Sequence, residues 1–171
     1  FNLNKDYGSS VVMIDDKYGK RITELNSNVK CISLKNEDAD YFCTSHSINS
    51  LGTAGTLAWD SETLDFESKL IGSFNLENLI LAASIAIELN ISAQSITRGI
   101  ENCTNIDGRL HLVKNQKNQM IFLDYAHSPD AYFRTLKALQ ENFSRPLKVL
   151  FGAGGGRDKS KRSKMAEVVE K

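Results

Sequence analysis

The first 60 residues hold short apolar runs separated by turn residues. Val11-Val12-Met13-Ile14 stops at Asp15-Asp16, and the run 29–34 stops at Lys35-Asn36. Residues 56–59 and 63–71 flank Asp60-Ser61-Glu62, the pattern of a hairpin pair. The region reads as strands with some helix, and 17–25 fits either. The character changes after Gly72-Ser-Phe-Asn75, where Leu76, Leu79, Ile80, Ala83 and Ile87 recur at helical spacing and define one buried face. Asn90 ends that helix. Ser92 is placed to cap a second one over about 93–102, and both are expected to pack on the preceding sheet.

Gly108-Arg109 punctuates the chain. Residues 110–113 and 120–123 read as strands around a polar turn, 124–129 as a loop, and 130–142 as a helix with Phe133, Leu136 and Leu139 on its apolar face. The apolar run 147–151 suits a buried parallel strand, followed by a glycine loop at 152–156 and a further helix from Ser160. Strand, helix, strand, glycine loop, helix is the opening of a doubly wound α/β domain. The expected boundary therefore lies near Gly108, giving units 1–108 and 109–171. The chain opens at Phe1 rather than methionine and stops at Lys171 within an expected helix, so it reads as an internal stretch of a longer protein.

Composition narrows this little. With 41% hydrophobic and 25% charged residues, and 21 cationic against 21 acidic side chains, the chain has the make-up of an ordinary globular protein. The balance gives no support for a nucleic-acid or anionic-membrane surface, although it is compatible with local basic clusters. No apolar run reaches the roughly 18 residues that span a bilayer. Cys31, Cys43 and Cys103 are odd in number and widely spaced, as are His46, His111 and His127, so neither a disulfide framework nor a metal site is expected. A reduced, cytoplasmic setting fits the cysteines.

Five segments bear chemistry. Asp124 sits at the carboxyl end of an expected strand, where open α/β sheets place ligand groups, and a carboxylate there suits a vicinal diol such as ribose. His127 follows three residues later, and Pro129 presets the next helix. The alternative is that Asp124 and Asp130 only cap the turn and helix, and both readings stand. Gly152-Ala-Gly-Gly-Gly156 matches neither GxxxxGK[ST] nor a clean GxGxxG, and by itself is a tight strand-to-helix turn. The basic run Arg157-Asp-Lys159-Ser-Lys161-Arg162 sits awkwardly beside a positive helix end and favours an anionic partner. Asn75 and Asn78 flank a helix start, as N-caps or as amides reading an adenine edge. Arg109 is a hinge ion pair or a phosphate ligand. No nucleophile and base pair stands out, which disfavours a serine or cysteine hydrolase.

In order, Phe1-Asn-Leu-Asn-Lys-Asp-Tyr-Gly8, Gly72-Ser-Phe-Asn-Leu-Glu-Asn78, Gly108-Arg109, Asp124-Tyr-Ala-His-Ser-Pro-Asp130 and Phe151-Gly-Ala-Gly-Gly-Gly-Arg-Asp-Lys-Ser-Lys-Arg162 resemble segments of the Mur ligases, most of all the UDP-N-acetylmuramoyl-tripeptide synthetases. The resemblance implies an α/β fold: the latter part of a central ATPase domain at 1–108, then the start of a Rossmann-like carboxyl-terminal domain at 109–171. It implies ATP and Mg2+ as cofactors, with the Mg2+ ligands mostly outside this chain. The substrates implied are the UDP-MurNAc dipeptide and an amino acid such as meso-diaminopimelate, joined through an acyl phosphate by a cytoplasmic, monomeric enzyme. It places Asn75 and Asn78 near adenine, Arg109 near the phosphates, Asp124 on the ribose and His127 beside the nucleotide. Arg157, Lys159 and Arg162 then face the substrate cleft. No residue here is assigned to catalysis or to metal. Departures are Asn4-Lys5-Asp6-Tyr7 for the usual Asn-x-Asp-Asp, Ser128 for threonine and Gly156 for aspartate. The GxxGKT loop, the magnesium carboxylate, the carbamylated lysine and the Asp-Asn-Pro-Arg segment have no counterpart here. The alternatives are a folylpolyglutamate synthase-like ligase, whose relatives carry a similar Asp-x-Ala-His-x-Pro, and a non-catalytic nucleotide-binding module.

Overall fold

A computed structural model describes residues 10–117, 119–153, 156 and 158–170. Arg157, Lys171 and the segment Phe1-Asn-Leu-Asn-Lys-Asp-Tyr-Gly8 lie outside the described residues. Five strands form one sheet in sequence order: β1 (Ser10–Met13), β2 (Val29–Ser33), β3 (Tyr41–Asn49), β4 (Gly52–Trp59) and β5 (Glu62–Ser68). The first three run parallel, and β3, β4 and β5 form an antiparallel meander. The β4–β5 turn falls where the sequence places it, with Asp60 at φ 48°, a conformation aspartate tolerates better than most residues.

The ambiguous 17–25 stretch is a helix, α1 (Lys17–Leu25). Asp16 decides it: its carboxylate accepts from the amides of Tyr18 and Gly19, satisfying two of the otherwise unpaired donors at the helix start. Gly19 lets the helix press onto β1, because a Cβ there would stand 1.8 Å from the Met13 carbonyl oxygen. The loop joining β2 to β3 is short, so only Ile32 and Ser33 pair with Tyr41 and Phe42.

α2 (Ser73–Glu88) and α3 (Ala93–Asn102) cover the sheet. Leu76, Leu79, Ile80 and Ala83 of α2, with Ile96 and Ile100 of α3, close a core over Ile32, Cys43, Leu57, Leu64 and Phe66. Ile87 is only partly buried at its edge. Ser92 caps α3 as expected, accepting from the Ser95 amide.

Beyond residue 108 the chain differs more from its sequence pattern. β6 (His111–Leu112) and β7 (Phe122–Leu123) form a short antiparallel pair. α4 (Pro129–Asn142) follows, and α5 (Lys161–Val169) packs on it through the buried Met165. On α4 the buried positions are Tyr132, Ala138 and Leu139. Phe133 is exposed, contrary to expectation, with the Lys137 ammonium 5.9 Å from its ring centre.

The run 147–151 forms no strand, and Leu150 is 100% exposed. The parallel strand expected there does not form, and β7, two residues long, pairs with β6 and with no other strand among the described residues. Instead the segment lies over α4, with Phe151 edge-on to Tyr132. A cavity of about 760 Å³ remains between it, β7 and α4. A second cluster of Ile71, Leu110, Ala138 and Leu139 joins the end of the sheet region to α4.

Candidate functional site

The site begins with a tight turn. The Arg109 amide donates to the Ile106 carbonyl at 3.0 Å, leaving Asp107 and Gly108 as the central residues. Gly108 has φ 71°, as the third position of a type II turn requires. Its carbonyl accepts from the Tyr125 amide at 2.9 Å, and the Tyr125 ring lies so close that a Cβ on Gly108 would stand 2.2 Å from it. Two residues on, Leu110 also has positive φ, 45°, an uncommon state for leucine. It is held there from both sides: its side chain is buried in the second cluster, and its amide donates to Asp124 Oδ2 at 2.9 Å. Arg109 projects from between these two left-handed residues and is exposed.

Asp124 is half-buried at the end of β7. Its Oδ1 accepts from the Ala126 amide at 2.8 Å and from Thr135 Oγ1 at 3.3 Å. A carboxylate offers about four lone-pair sites, and three are taken by donors of the chain itself. The capping alternative is thus realised at Asp124, whereas Asp130 pairs with Arg134 at 3.2 Å and Ser128 caps the helix; one acceptor site of Asp124 remains for an outside hydroxyl. Releasing the long Thr135 bond would free the second site a vicinal diol needs. Burial, and then the Asp124 charge, raise the Tyr132 phenol above its ordinary range.

His127 is exposed, with Nδ1 3.0 Å from the Tyr125 carbonyl. A carbonyl only accepts, so Nδ1 carries the proton and Nε2 faces outward as the open ring position. Ser128 caps α4 by accepting from the Ala131 amide at 3.2 Å, with Pro129 in its first turn. Lys161, not singled out in the sequence, donates from Nζ to the His127 carbonyl at 3.1 Å. That contact brings the start of α5, with exposed Lys159 and Arg162 beside it, against the 124–128 loop. At the start of α5 the Asp158 carboxylate accepts from the Ser160 amide at 3.0 Å and from the Ser160 hydroxyl at 2.6 Å, so an acid occupies that helix end beside the cations of the basic run.

The α2 asparagines do not cap their helix. Gly72 occupies that position, with no side-chain bond. Asn75 is 0% exposed, donating from Nδ2 to the Ile71 carbonyl at 2.8 Å, while its Oδ1 meets no donor among the described residues. In this arrangement Asn75 touches nothing outside the protein. Asn78 is exposed, and its neighbour Glu77 pairs with Arg134 of α4 at 3.3 Å.

Hydrogen bonds therefore tie the backbone on either side of Arg109, the loop holding Asp124 and His127, and Lys161 into one group, with Lys159 and Arg162 next to Lys161 in the chain, and Asn75 lies buried in the first turn of α2. Leu110, Tyr125, Thr135 and Lys161 complete it. Only Lys161 carried a signal, as part of the basic run; the others act through backbone or through contacts eleven or more residues away. Among the described residues no group of three or more His, Cys, Asp or Glu side chains is placed to hold a metal ion.

Two family models match the chain: "Mur ligase middle domain" over residues 1–86 and "Mur ligase, glutamate ligase domain" over 108–171. A UDP-N-acetylmuramoyl-L-alanyl-D-glutamate--2,6-diaminopimelate ligase from Nostoc sp. is 32% identical over 166 residues, covering 95% of this chain and 34% of that protein. A solved structure of a ligase of the same name aligns with a TM-score of 0.66 and 29% identity, over 94% of this chain and 34% of the other. Folylpolyglutamate synthetase from Lactobacillus casei shares the fold, at a TM-score of 0.67 and 17% identity, over 95% of this chain and 47% of its own. The chain spans about a third of the length of the curated relatives it matches.

Proposed function

Since the chain belongs to the Mur ligase family, matched across its middle and glutamate ligase domains, we propose that it is the nucleotide-facing junction of an ATP-dependent amide-forming ligase. In that reading 1–108 is the latter part of the central domain and 109–171 the start of the carboxyl-terminal domain. The enzyme is cytoplasmic and monomeric, and it adds the third amino acid, meso-diaminopimelate, to UDP-MurNAc-L-Ala-D-Glu. The observation that carries the proposal is the hydrogen-bonded connection of the doubly kinked turn at Arg109 to Asp124, His127 and Lys161, at the start of the second matched segment.

The residues fit a nucleotide. Asp124 keeps one open acceptor and a second held only by Thr135, suited to ribose hydroxyls. Arg109, Lys159 and Arg162 supply cations for phosphate, with Arg157 of the same basic run. His127 frames the same face. An adenine contact through Asn75 requires the start of α2 to open; Asn78 reaches solvent without that change.

ATP, when bound, supplies the phosphoryl group that turns a carboxylate into an acyl phosphate, which the incoming amine then displaces. This chain's cations serve to orient anionic groups and to stabilise the charge that grows during transfer.

The test is to express the protein from its complete reading frame and follow ADP release with UDP-MurNAc-L-Ala-D-Glu and meso-diaminopimelate, and separately with folate and glutamate. ADP release is expected only with the first pair. Turnover of folate alone would transfer the chain to the folylpolyglutamate synthases, whose fold it shares.

A further inference from the structure

Arg109 and Asp124, fifteen positions apart, are joined through one backbone amide. Leu110 adopts a left-handed conformation that is unfavourable for a residue with a Cβ, and the Asp124 carboxylate is the group that accepts its N–H, at 2.9 Å. The same carboxylate fixes its own loop through Ala126, while Tyr125 closes on the Gly108 carbonyl. Either side of Arg109 is therefore tied to the 124–126 loop. Among the described residues the guanidinium itself is held by a 3.4 Å contact to the Gly108 carbonyl alone, so its direction is set by the backbone beneath it.

We propose that Asp124 is a positioning residue for Arg109: by holding the Leu110 amide it aims the arginine at the anionic part of the ligand, so recognition of the sugar and of the phosphates share one element. The inference rests on the nucleotide-facing reading above and adds to it a second role for the aspartate. A ligand hydroxyl arriving at Asp124 replaces Thr135 and leaves the Leu110 bond in place, because the Thr135 contact is the longer of the two.

The test uses the full-length protein and two probes, ATP and 2′,3′-dideoxy-ATP, with affinities measured by calorimetry. The dideoxy nucleotide cannot use a direct Asp124–ribose bond, so whatever Asp124 still contributes to its binding is exerted through position. Loss of one charge-assisted anchor is expected to weaken dideoxy-ATP about tenfold in Asp124→Asn. That loss should vanish when Arg109→Met is already present. If Asp124→Asn binds dideoxy-ATP as the wild type does, or if its loss persists undiminished beside Arg109→Met, the positioning role is overturned while the ribose contact stands. If the wild type binds both nucleotides alike and Arg109→Met changes neither, the nucleotide-facing reading itself falls.

Should Asp124→Asn fail to fold, reciprocity of coupling supplies a second measurement. Saturating dideoxy-ATP should slow hydrogen exchange in the peptide containing Leu110 in the wild type, and not in Arg109→Met, whose changed side chain is exposed. Slowing in both proteins, or in neither, overturns the proposal.

Discussion

At the residue scale, Asp124 and Gly108 show what a sequence can and cannot reveal. The place of Asp124 at a strand end was legible, and so was a turn at Gly108. The donors that fill Asp124 were not, since Leu110 and Thr135 lie fourteen and eleven residues away and Leu110 acts through its backbone. Gly108 answers to two constraints at once, positive φ and the Tyr125 ring. Gly108→Ala is expected to cost more than the roughly 1–2 kcal/mol of a left-handed alanine alone, measured by urea unfolding. Adding Tyr125→Ala should recover the excess and leave the backbone part. Full recovery, or none, would contradict this division.

At the scale of elements, regular periodicity was the reliable guide. α2 and α3 stand where their apolar spacing and the Ser92 cap put them, because each buries one face on the sheet. Two expectations about apolar residues were wrong for a shared reason: burial depends on what lies opposite. Phe133 finds no neighbour across α4, and 147–151 pairs with no strand among the described residues. Leu150→Lys should therefore change stability by less than about 0.5 kcal/mol, whereas truncating a buried leucine such as Leu139 to alanine should cost roughly 2–5 kcal/mol. A large loss at Leu150 would restore the buried strand. The α1 cap adds a pH dependence. The Gly19 and Tyr18 amides hold the Asp16 carboxyl below its ordinary range, so its contribution is present above the unfolded value and fades as pH falls through the folded one. The difference in unfolding midpoint between wild type and Asp16→Ala should be largest near neutrality and shrink below the ordinary carboxylate range. A pH-independent difference would show that the cap acts without its charge.

At the scale of the molecule, one hydrophobic cluster joins Ile71, at the end of the sheet region, and Leu110 to α4, and Glu77 of α2 pairs with Arg134 of α4. The candidate site lies beside that cluster, since Leu110 donates its amide to Asp124, at the start of the second family-matched segment. The ordered motifs made the family legible from the sequence. The geometry that joins them was not, because it depends on contacts between segments far apart in the chain. The account's central claim is chemical: a carboxylate is activated by phosphorylation and then aminated. The most direct measurement supplies the full-length protein with ATP, diaminopimelate and a UDP-MurNAc dipeptide carrying 18O in its terminal carboxylate, and reads the released phosphate by mass spectrometry. The account predicts one 18O atom per phosphate for each amide formed; amide formation with unlabelled phosphate, or with the label in AMP, would contradict it.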